Sequence, residues 1–348
     1  MNNNPFTIVF GKEPAQFISR DAQLGSIVED FTSDTPASQV YMITGLRGIG
    51  KTVAMTNIVS RLASTDGWIC ISLNPERDML NALASKIYTE GGLQKHFLKA
   101  KIDLSMFGLG VSVEDGYKYT DIESAISMML KELGKRGKRV LVAVDEVVNN
   151  KDVRVFAASF QIMLRDNLPI YLLMTGLYEN IYNLQNEKTL TFLYRAPKIA
   201  LAPLNITAVC NKYEDIFGIS HDKAWEMAIL TKGYSFAFQV LGYLVWSEDA
   251  KNDPDAIIKK YDEYLEEYVY EKIWAELSEK DRSVLESIAM LGGEKVRIKD
   301  IRELQDMKSG ELSVYKKRIE KKGLIDTTQY GYVSIVPPRF VEFIKRYS

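Results

Sequence analysis

In the run Gly45-Leu46-Arg47-Gly48-Ile49-Gly50-Lys51-Thr52, four residues separate the first glycine from a Gly-Lys-Thr triplet. Each type in this spacing has a chemical reason. Glycines at 45, 48 and 50 let the backbone curl without a Cβ, so that successive N–H groups can face the oxygens of a polyanion. A helix starting at the end of the loop adds the positive end of its dipole. Lys51 is long enough to reach terminal phosphates as a point charge, and the Thr52 hydroxyl is a hard oxygen ligand for Mg²⁺. The pattern predicts a phosphate-binding loop in which Gly45, Gly48, Ile49, Gly50, Lys51, Thr52 and Val53 contact a nucleoside triphosphate. An incidental glycine-rich turn is the bland alternative, and a strand before the loop with a helix after it is the context that argues against it.

A second group of candidates follows an apolar run. Val140-Leu141-Val142-Ala143-Val144 ends in Asp145-Glu146. Ligands of an open parallel sheet collect at the carboxyl ends of its strands. At that edge Asp145 suits a water-mediated magnesium ligand, and Glu146 suits the base that polarises an attacking water. The competing reading is a loop whose acids cap the next helix. The following apolar run ends at Thr175-Gly176, where Thr175 is placed to sense a γ-phosphate or, more plainly, to cap a helix.

These side chains need a scaffold, and the hydrophobic pattern supplies one. Val40–Thr44, Trp68–Leu73, Val140–Val144 and Leu168–Met174 read as buried strands, the last with Pro169 at its start. Thr52–Leu62, the stretch with Met79, Leu80, Leu83 and Ile87, Ile122–Leu133 and Val153–Leu164 read as helices between them. Leu104–Val113, with Gly108 and Gly110, reads as an irregular hairpin or loop. Alternation of this kind predicts a mostly parallel α/β sheet. After Pro203 the pattern turns helical over Ile206–Phe217, Asp222–Leu230, Phe236–Trp246 and Ala256–Leu277, with a polar link at Ser247–Pro254. From Ser278, an N-cap with Asp281 three residues on, helices are expected at Glu279–Leu291, Ile298–Leu304 and Glu311–Lys322. Two short β-like runs follow, Gly323–Asp326 and Tyr332–Val336. The expected organisation is a core over residues 1–202, a helical lid over 203–275 and a C-terminal domain over 276–348.

Composition narrows the class. The 348 residues are 46% hydrophobic and 26% charged, which suits a soluble protein with a sizeable core. No run of about 18 apolar residues predicts a membrane span, and the first residues lack a signal-peptide pattern. Cys70 and Cys210 read as small buried hydrophobes in a reducing compartment, and His96 and His221 have no suitable neighbours in sequence for a zinc site. A cytoplasmic location is expected. A net charge of −2 excludes a global basic field, although the part from Glu276 onward carries +3.

Gly45–Thr52, Val140–Glu146 and Leu172-Leu173-Met174-Thr175-Gly176-Leu177 together resemble the AAA+/STAND ATPases, and most of all the bacterial and archaeal group related to origin-recognition initiators. The resemblance implies an AAA+/ASCE-like P-loop NTPase core with ATP and Mg²⁺ as cofactors, a helical lid and a C-terminal winged helix-turn-helix. Pro14–Asp21 is similar to the family segment that packs on adenine, which brings in Phe17, Ile18 and Arg20, with Ser19 where the family has glycine. Gly233-Tyr234-Ser235-Phe236 and Gln239–Gly242 resemble the lid motif, with Ser235 where proline is common. Arg195 occupies the place of an arginine finger that completes a neighbouring subunit's site, so homo-oligomers or protein partners are expected. Thr231–Trp246 holds no arginine at the position of the family's second sensor, only Lys232.

In the C-terminal domain, the expected turn is Asp306–Gly310 and the recognition helix carries Lys316, Lys317, Arg318, Lys321 and Lys322, with Arg339 beyond the wing. Cations on such a helix suit duplex DNA phosphates; a solvated lysine face or a protein-binding winged helix are the alternatives. Three functions remain open: an ATPase coupled to DNA in replication, transposition or mobile-element maintenance; a STAND-type signalling or scaffold ATPase that touches no DNA; and a P-loop phosphotransferase.

Overall fold

The computed structural model describes residues 4–8, 16–94, 102–109, 117–118, 121–247 and 253–347. Pro14, Ala15, His96, loop residues 110–113 and link residues 248–252, all named above, lie outside the described residues. The elements in chain order are α1 (Asp21–Thr32), β1 (Val40–Thr44), α2 (Lys51–Ala63), β2 (Trp68–Leu73), α3 (Met79–Glu90), the short pair β3 (Ile102–Asp103) and β4 (Tyr117–Lys118), α4 (Ile122–Lys135), β5 (Arg139–Val144), α5 (Lys151–Arg165), β6 (Ile170–Gly176), α6 (Tyr178–Gln185), α7 (Thr191–Arg195) and β7 (Lys198–Ala200). After them come α8 (Ile206–Phe217), α9 (His221–Thr231), α10 (Ser235–Trp246), α11 (Pro254–Leu265), a π-turn at Glu266–Tyr270, α12 (Glu271–Ala275), α13 (Glu279–Met290), β8 (Val296–Arg297), α14 (Ile298–Leu304), α15 (Ser309–Lys321), β9 (Ile325–Asp326), β10 (Tyr332–Ile335) and α16 (Phe340–Tyr347). The chain forms two compact units. One comprises Asp21–Thr44 and Ala54–Ala200, and the other Met1–Arg20, Gly45–Val53 and Leu201–Ser348.

The first of these holds a five-stranded sheet in the order β2-β5-β6-β1-β7, with every neighbouring pair parallel. β1 and β6 are buried along their length, and β5 from Val140 onward. That explains why their sequences run apolar without alternation. Register fixes the functional edge: Thr44 lies opposite Gly176 and Val144 opposite Met174. The chain therefore leaves β1, β5 and β6 at one edge of the sheet. Helix α1 has no counterpart among the sequence expectations. Leu24, Ile27 and Phe31 form its buried stripe, and Arg139 donates to the Phe31 and Ser33 carbonyls (both 3.0 Å) at its C-terminal end, where a cation opposes the helix dipole.

In the other unit, α8, α9 and α10, which cover the stretch expected to form a lid, pack on one another. Asn205 caps α8 by accepting from the Ala208 amide, and Gly218 ends it in the left-handed region. Phe6 from the N-terminal segment packs among Tyr213, Phe217 and Phe238. The run expected to be one helix from Ala256 to Leu277 is interrupted by the π-turn.

The C-terminal part has the order helix, strand, two helices, two strands, helix, which is winged-helix topology. Its sheet has three strands, β8-β10-β9, because the two-residue β8 adds to the expected pair. Ser278 caps α13 by accepting from the Asp281 amide at 3.2 Å. The turn before α15, the helix expected to carry the DNA-facing cations, is shorter than expected, since Ser309 and Gly310 already belong to α15.

Candidate functional site

The phosphate loop is held by its carbonyls. Lys51 Nζ donates to the carbonyls of Gly45 (3.0 Å) and Leu46 (2.9 Å). The Tyr234 hydroxyl donates to the Arg47 carbonyl. The Phe236 amide donates to the Gly48 carbonyl at 3.1 Å. The Ile49 carbonyl accepts from Ser235 Oγ and from Arg20 Nη2, both at 2.8 Å. Every carbonyl from Gly45 to Ile49 is thus engaged. In a trans peptide the C=O and the next N–H point in opposite directions, so the amides of Gly48 and Gly50 point away from Tyr234, Ser235 and Arg20, which hold the carbonyls before them. That is the arrangement an anion requires of a backbone.

Two glycines are indispensable to it. Gly48 sits at φ 78°, and a Cβ there would lie 2.6 Å from the Tyr234 hydroxyl oxygen. Gly50 sits at φ 97°, with Ser235 Oγ 3.2 Å from where a Cβ would be. The anchors are buried polar groups. Arg20 is 6% exposed, and besides Ile49 it reaches the Ala202 carbonyl (2.6 Å) and Ser235 Oγ (3.0 Å). Burial lowers its pKa to about 10, so it stays charged at neutral pH. Burial also pushes the Tyr234 phenol far above its usual range, which keeps it a donor. Phe17 and Ile18, half-buried, follow Gln16, whose carbonyl accepts from Gln239 Nε2 at 3.0 Å. Residues from the adenine-like segment, the loop and the lid motif are therefore brought together.

The acidic pair sits at the carboxyl end of β5. Asp145 Oδ1 accepts from the Glu146 amide at 3.0 Å and from the Thr175 hydroxyl. Thr175 Oγ1 also lies 3.3 Å from the Glu146 amide. Thr175 is fully buried and does not cap the helix that follows; the N-cap of α6 is Leu177, without a side-chain bond. Glu146 is exposed and adopts φ 51°. A non-glycine residue in the left-handed region is uncommon and strained. Nothing else in the sequence signalled that conformation.

Arg195 is exposed at the end of α7, immediately before edge strand β7. In the winged helix, a cavity of about 340 Å³ is lined by Lys299, Arg302, Ser309, Ser313, Lys316 and Tyr330 among others. Lys317 and Lys321 are exposed one turn apart on α15 and are not part of that lining. Two arginines expected to face DNA are consumed internally. Arg318 donates to the buried Asp281 carboxylate from Nε (2.9 Å) and Nη2 (2.7 Å). Arg339 makes a two-point pair with Asp262 (2.8 and 2.9 Å). A guanidinium fork matches a carboxylate in two-point geometry, and both arginines engage two nitrogens on one carboxylate. Lys232, at the sensor position, pairs with Glu294 at 2.7 Å.

His221 corrects another expectation. Its ring meets Cys210 and Glu214 in space. Cys210 and Glu214 stand four apart on α8, a spacing visible in sequence; the Gly218 turn that returns His221 to them was not. Cys70, also expected to be buried, is half-buried.

A family model described as a domain of unknown function (DUF8462) matches residues 267–344, the C-terminal part alone. No curated protein sequence matches the chain. Among solved structures, the chain is similar to the Walker-type ATPase PABY2304 of Pyrococcus abyssi, at 16% identity over 94% of this chain and 96% of that one, with a TM-score of 0.66. It is also similar to the Aeropyrum pernix ORC2 protein, in its ADPNP–ADP complexes (15% identity, 97% and 96% covered, TM-score 0.63) and in its ADP form (15%, 97% and 96%, 0.54). The chain shares the fold of these structures, with a parallel five-stranded sheet of the P-loop NTPase kind.

Proposed function

We propose that the protein binds ATP on the Gly45–Val53 loop and acts as an ATP-hydrolysing switch whose nucleotide state is transmitted to its winged helix and to duplex DNA. One observation carries the nucleotide reading: the unbroken engagement of the loop carbonyls from Gly45 to Ile49. Phe17 and Ile18 offer the apolar surface for the base, and Lys51 and the loop amides take the phosphates.

The Thr52 hydroxyl and, separately, the Asp145 carboxylate are hard oxygens of the kind Mg²⁺ takes, and the second is oriented by Thr175 and the Glu146 amide. When bound, the ion neutralises charge on the β- and γ-phosphates. Glu146 orients and deprotonates the attacking water. Thr175 acts through Asp145, as a positioning residue. Arg195 on the exposed surface is the residue to complete a second subunit's site.

Coupling has a physical route inside the unit that holds loop, lid and winged helix. Arg47 of the loop pairs with Glu276 at 3.2 Å. Leu46 packs against Gly323 after the recognition helix, where a Cβ would come within 3.1 Å. A phosphate that shifts the loop biases these contacts, and differential contacts are what a switch requires. The cationic cavity beside α15, with Lys299, Arg302 and Lys316 among hydroxyls, suits the sugar-phosphate backbone. A second reading, a conformational ATPase without DNA, is favoured by the internal use of Arg318, Arg339 and Lys232.

Fluorescence anisotropy with a labelled duplex, together with steady-state ATP turnover with and without DNA, separates the two. Binding that weakens with salt and is lost in Lys316→Glu/Lys317→Glu/Lys321→Glu supports the switch on DNA. Tight ATP binding with ATP-driven oligomerisation and no duplex affinity at low salt supports the second.

A further inference from the structure

We propose that Cys210, Glu214 and His221 form a binding site for a zinc ion that joins the first two lid helices. The three ligand atoms lie within 4.8 Å of one another. Cys210 Sγ is 3.7 Å from His221 Nδ1, and Nδ1 is 2.6 Å from Glu214 Oε1. Zn–S bonds of about 2.3 Å and Zn–N bonds of about 2.0–2.1 Å in tetrahedral geometry set a sulfur–nitrogen edge of about 3.6 Å. The observed edge already matches. The Nδ1–Oε1 edge must open by several tenths of an ångström, which the half-exposed Glu214 side chain on one helix face permits.

The scaffold produces the cluster by simple means. Cys210 and Glu214 are one helical turn apart on α8 and so share a face. Gly218, at φ 61°, ends that helix with its amide on the Glu214 carbonyl (2.8 Å). The chain reverses, and His221 enters at the first position of α9. Trp225, one turn further, stacks on the imidazole with a centroid distance of 6.0 Å and limits its rotation.

The donor set selects the metal class. Thiolate, imidazole and carboxylate together are too soft for Mg²⁺ or Ca²⁺, which take oxygen, and suit a borderline ion such as Zn²⁺. Three protein ligands leave one coordination position for water. On binding, the Cys210 S–H bond breaks, the sulfur pair goes to the metal and the proton to solvent. The site makes no use of the phosphate loop, so its test stands apart from the nucleotide reading.

Cobalt(II) is the probe, because a thiolate–cobalt charge-transfer band reports a sulfur ligand directly. Reduced, nucleotide-free full-length protein titrated with cobalt(II) chloride is expected to give that band at one equivalent, with loss of the band on adding zinc chloride. Cys70→Ser keeps the band. His221→Gln, at an exposed position that leaves the core intact, weakens cobalt binding at least tenfold, and Cys210→Ser abolishes the band. Zinc is also expected to raise the melting temperature of the parent protein and not that of His221→Gln. The absence of a thiolate band at tenfold excess cobalt, its persistence at unchanged affinity in His221→Gln, or its loss in Cys70→Ser overturns the proposal.

Discussion

The phosphate loop and the acidic strand edge obtain their geometry in opposite ways. Asp145, Glu146 and Thr175 are placed by one sheet: β5 and β6 are paired neighbours in fixed register, and the Asp145–Thr175 bond crosses between them. The loop borrows its shape from far away in sequence. Tyr234 and Ser235, which hold the Arg47 and Ile49 carbonyls, stand 187 and 186 positions from them, and Arg20 reaches in from the other side. The lesson is that chemistry at the strand edge is protected by core packing, whereas nucleotide affinity is exposed to any change in the lid. A substitution in the lid should alter binding, and a substitution at the edge should alter turnover.

The largest effect is expected at the edge. Glu146→Gln should lower steady-state ATP turnover by about 10²–10⁴-fold, the range for removing a general base, with ATP affinity within about threefold by calorimetry on the same preparation. If Glu146→Gln turns over at the parental rate, the base is another group. Next comes Lys51→Ala, which removes a charged hydrogen-bond donor worth about 1.5–3 kcal/mol; ATP affinity should fall by about 10–150-fold while the melting curve moves little.

Two smaller substitutions probe the contrast between the regions. Gly48→Ala places a Cβ 2.6 Å from the Tyr234 hydroxyl at a positive φ, a strain of about 1–3 kcal/mol. It should weaken ATP binding, and Tyr234→Phe in the same chain should recover part of the loss, although Tyr234→Phe alone weakens binding by freeing the Arg47 carbonyl. Thr175→Val removes one hydrogen bond to Asp145 and should lower turnover by about tenfold, for about 1–1.5 kcal/mol, leaving affinity unchanged. If Thr175→Val costs affinity and Gly48→Ala costs only turnover, the division between the regions is wrong.

The same contrast explains what could be read from sequence. Strands β1, β5 and β6 declare themselves by long apolar runs, β2 by one that Ser72 interrupts, and the loop by glycine spacing, because these signals are local. Helix α1 was equally local, with Leu24, Ile27 and Phe31 three and four residues apart, yet it precedes the first strand where no motif drew attention to it. β8 has two residues and no pattern of its own; it exists because β10 offers it an edge at Tyr332 and Val333. The roles of Arg318 and Arg339 were illegible for another reason: a basic residue on a helix looks the same in sequence whether its partner is solvent, a phosphate or a buried carboxylate such as Asp281 or Asp262. The left-handed Glu146 and the meeting of Cys210 with His221 are likewise products of turns, which sequence marks only through Gly218.

Everything proposed for the nucleotide depends on the loop amides and Lys51 receiving phosphate. Isothermal titration of ATP with excess Mg²⁺ into the full-length protein is the direct test. Saturable binding of one ATP per chain, competed by ADP, is the expected result; no measurable binding to folded protein, at any ATP concentration up to the millimolar range found for weak sites of about 4 kcal/mol, contradicts it.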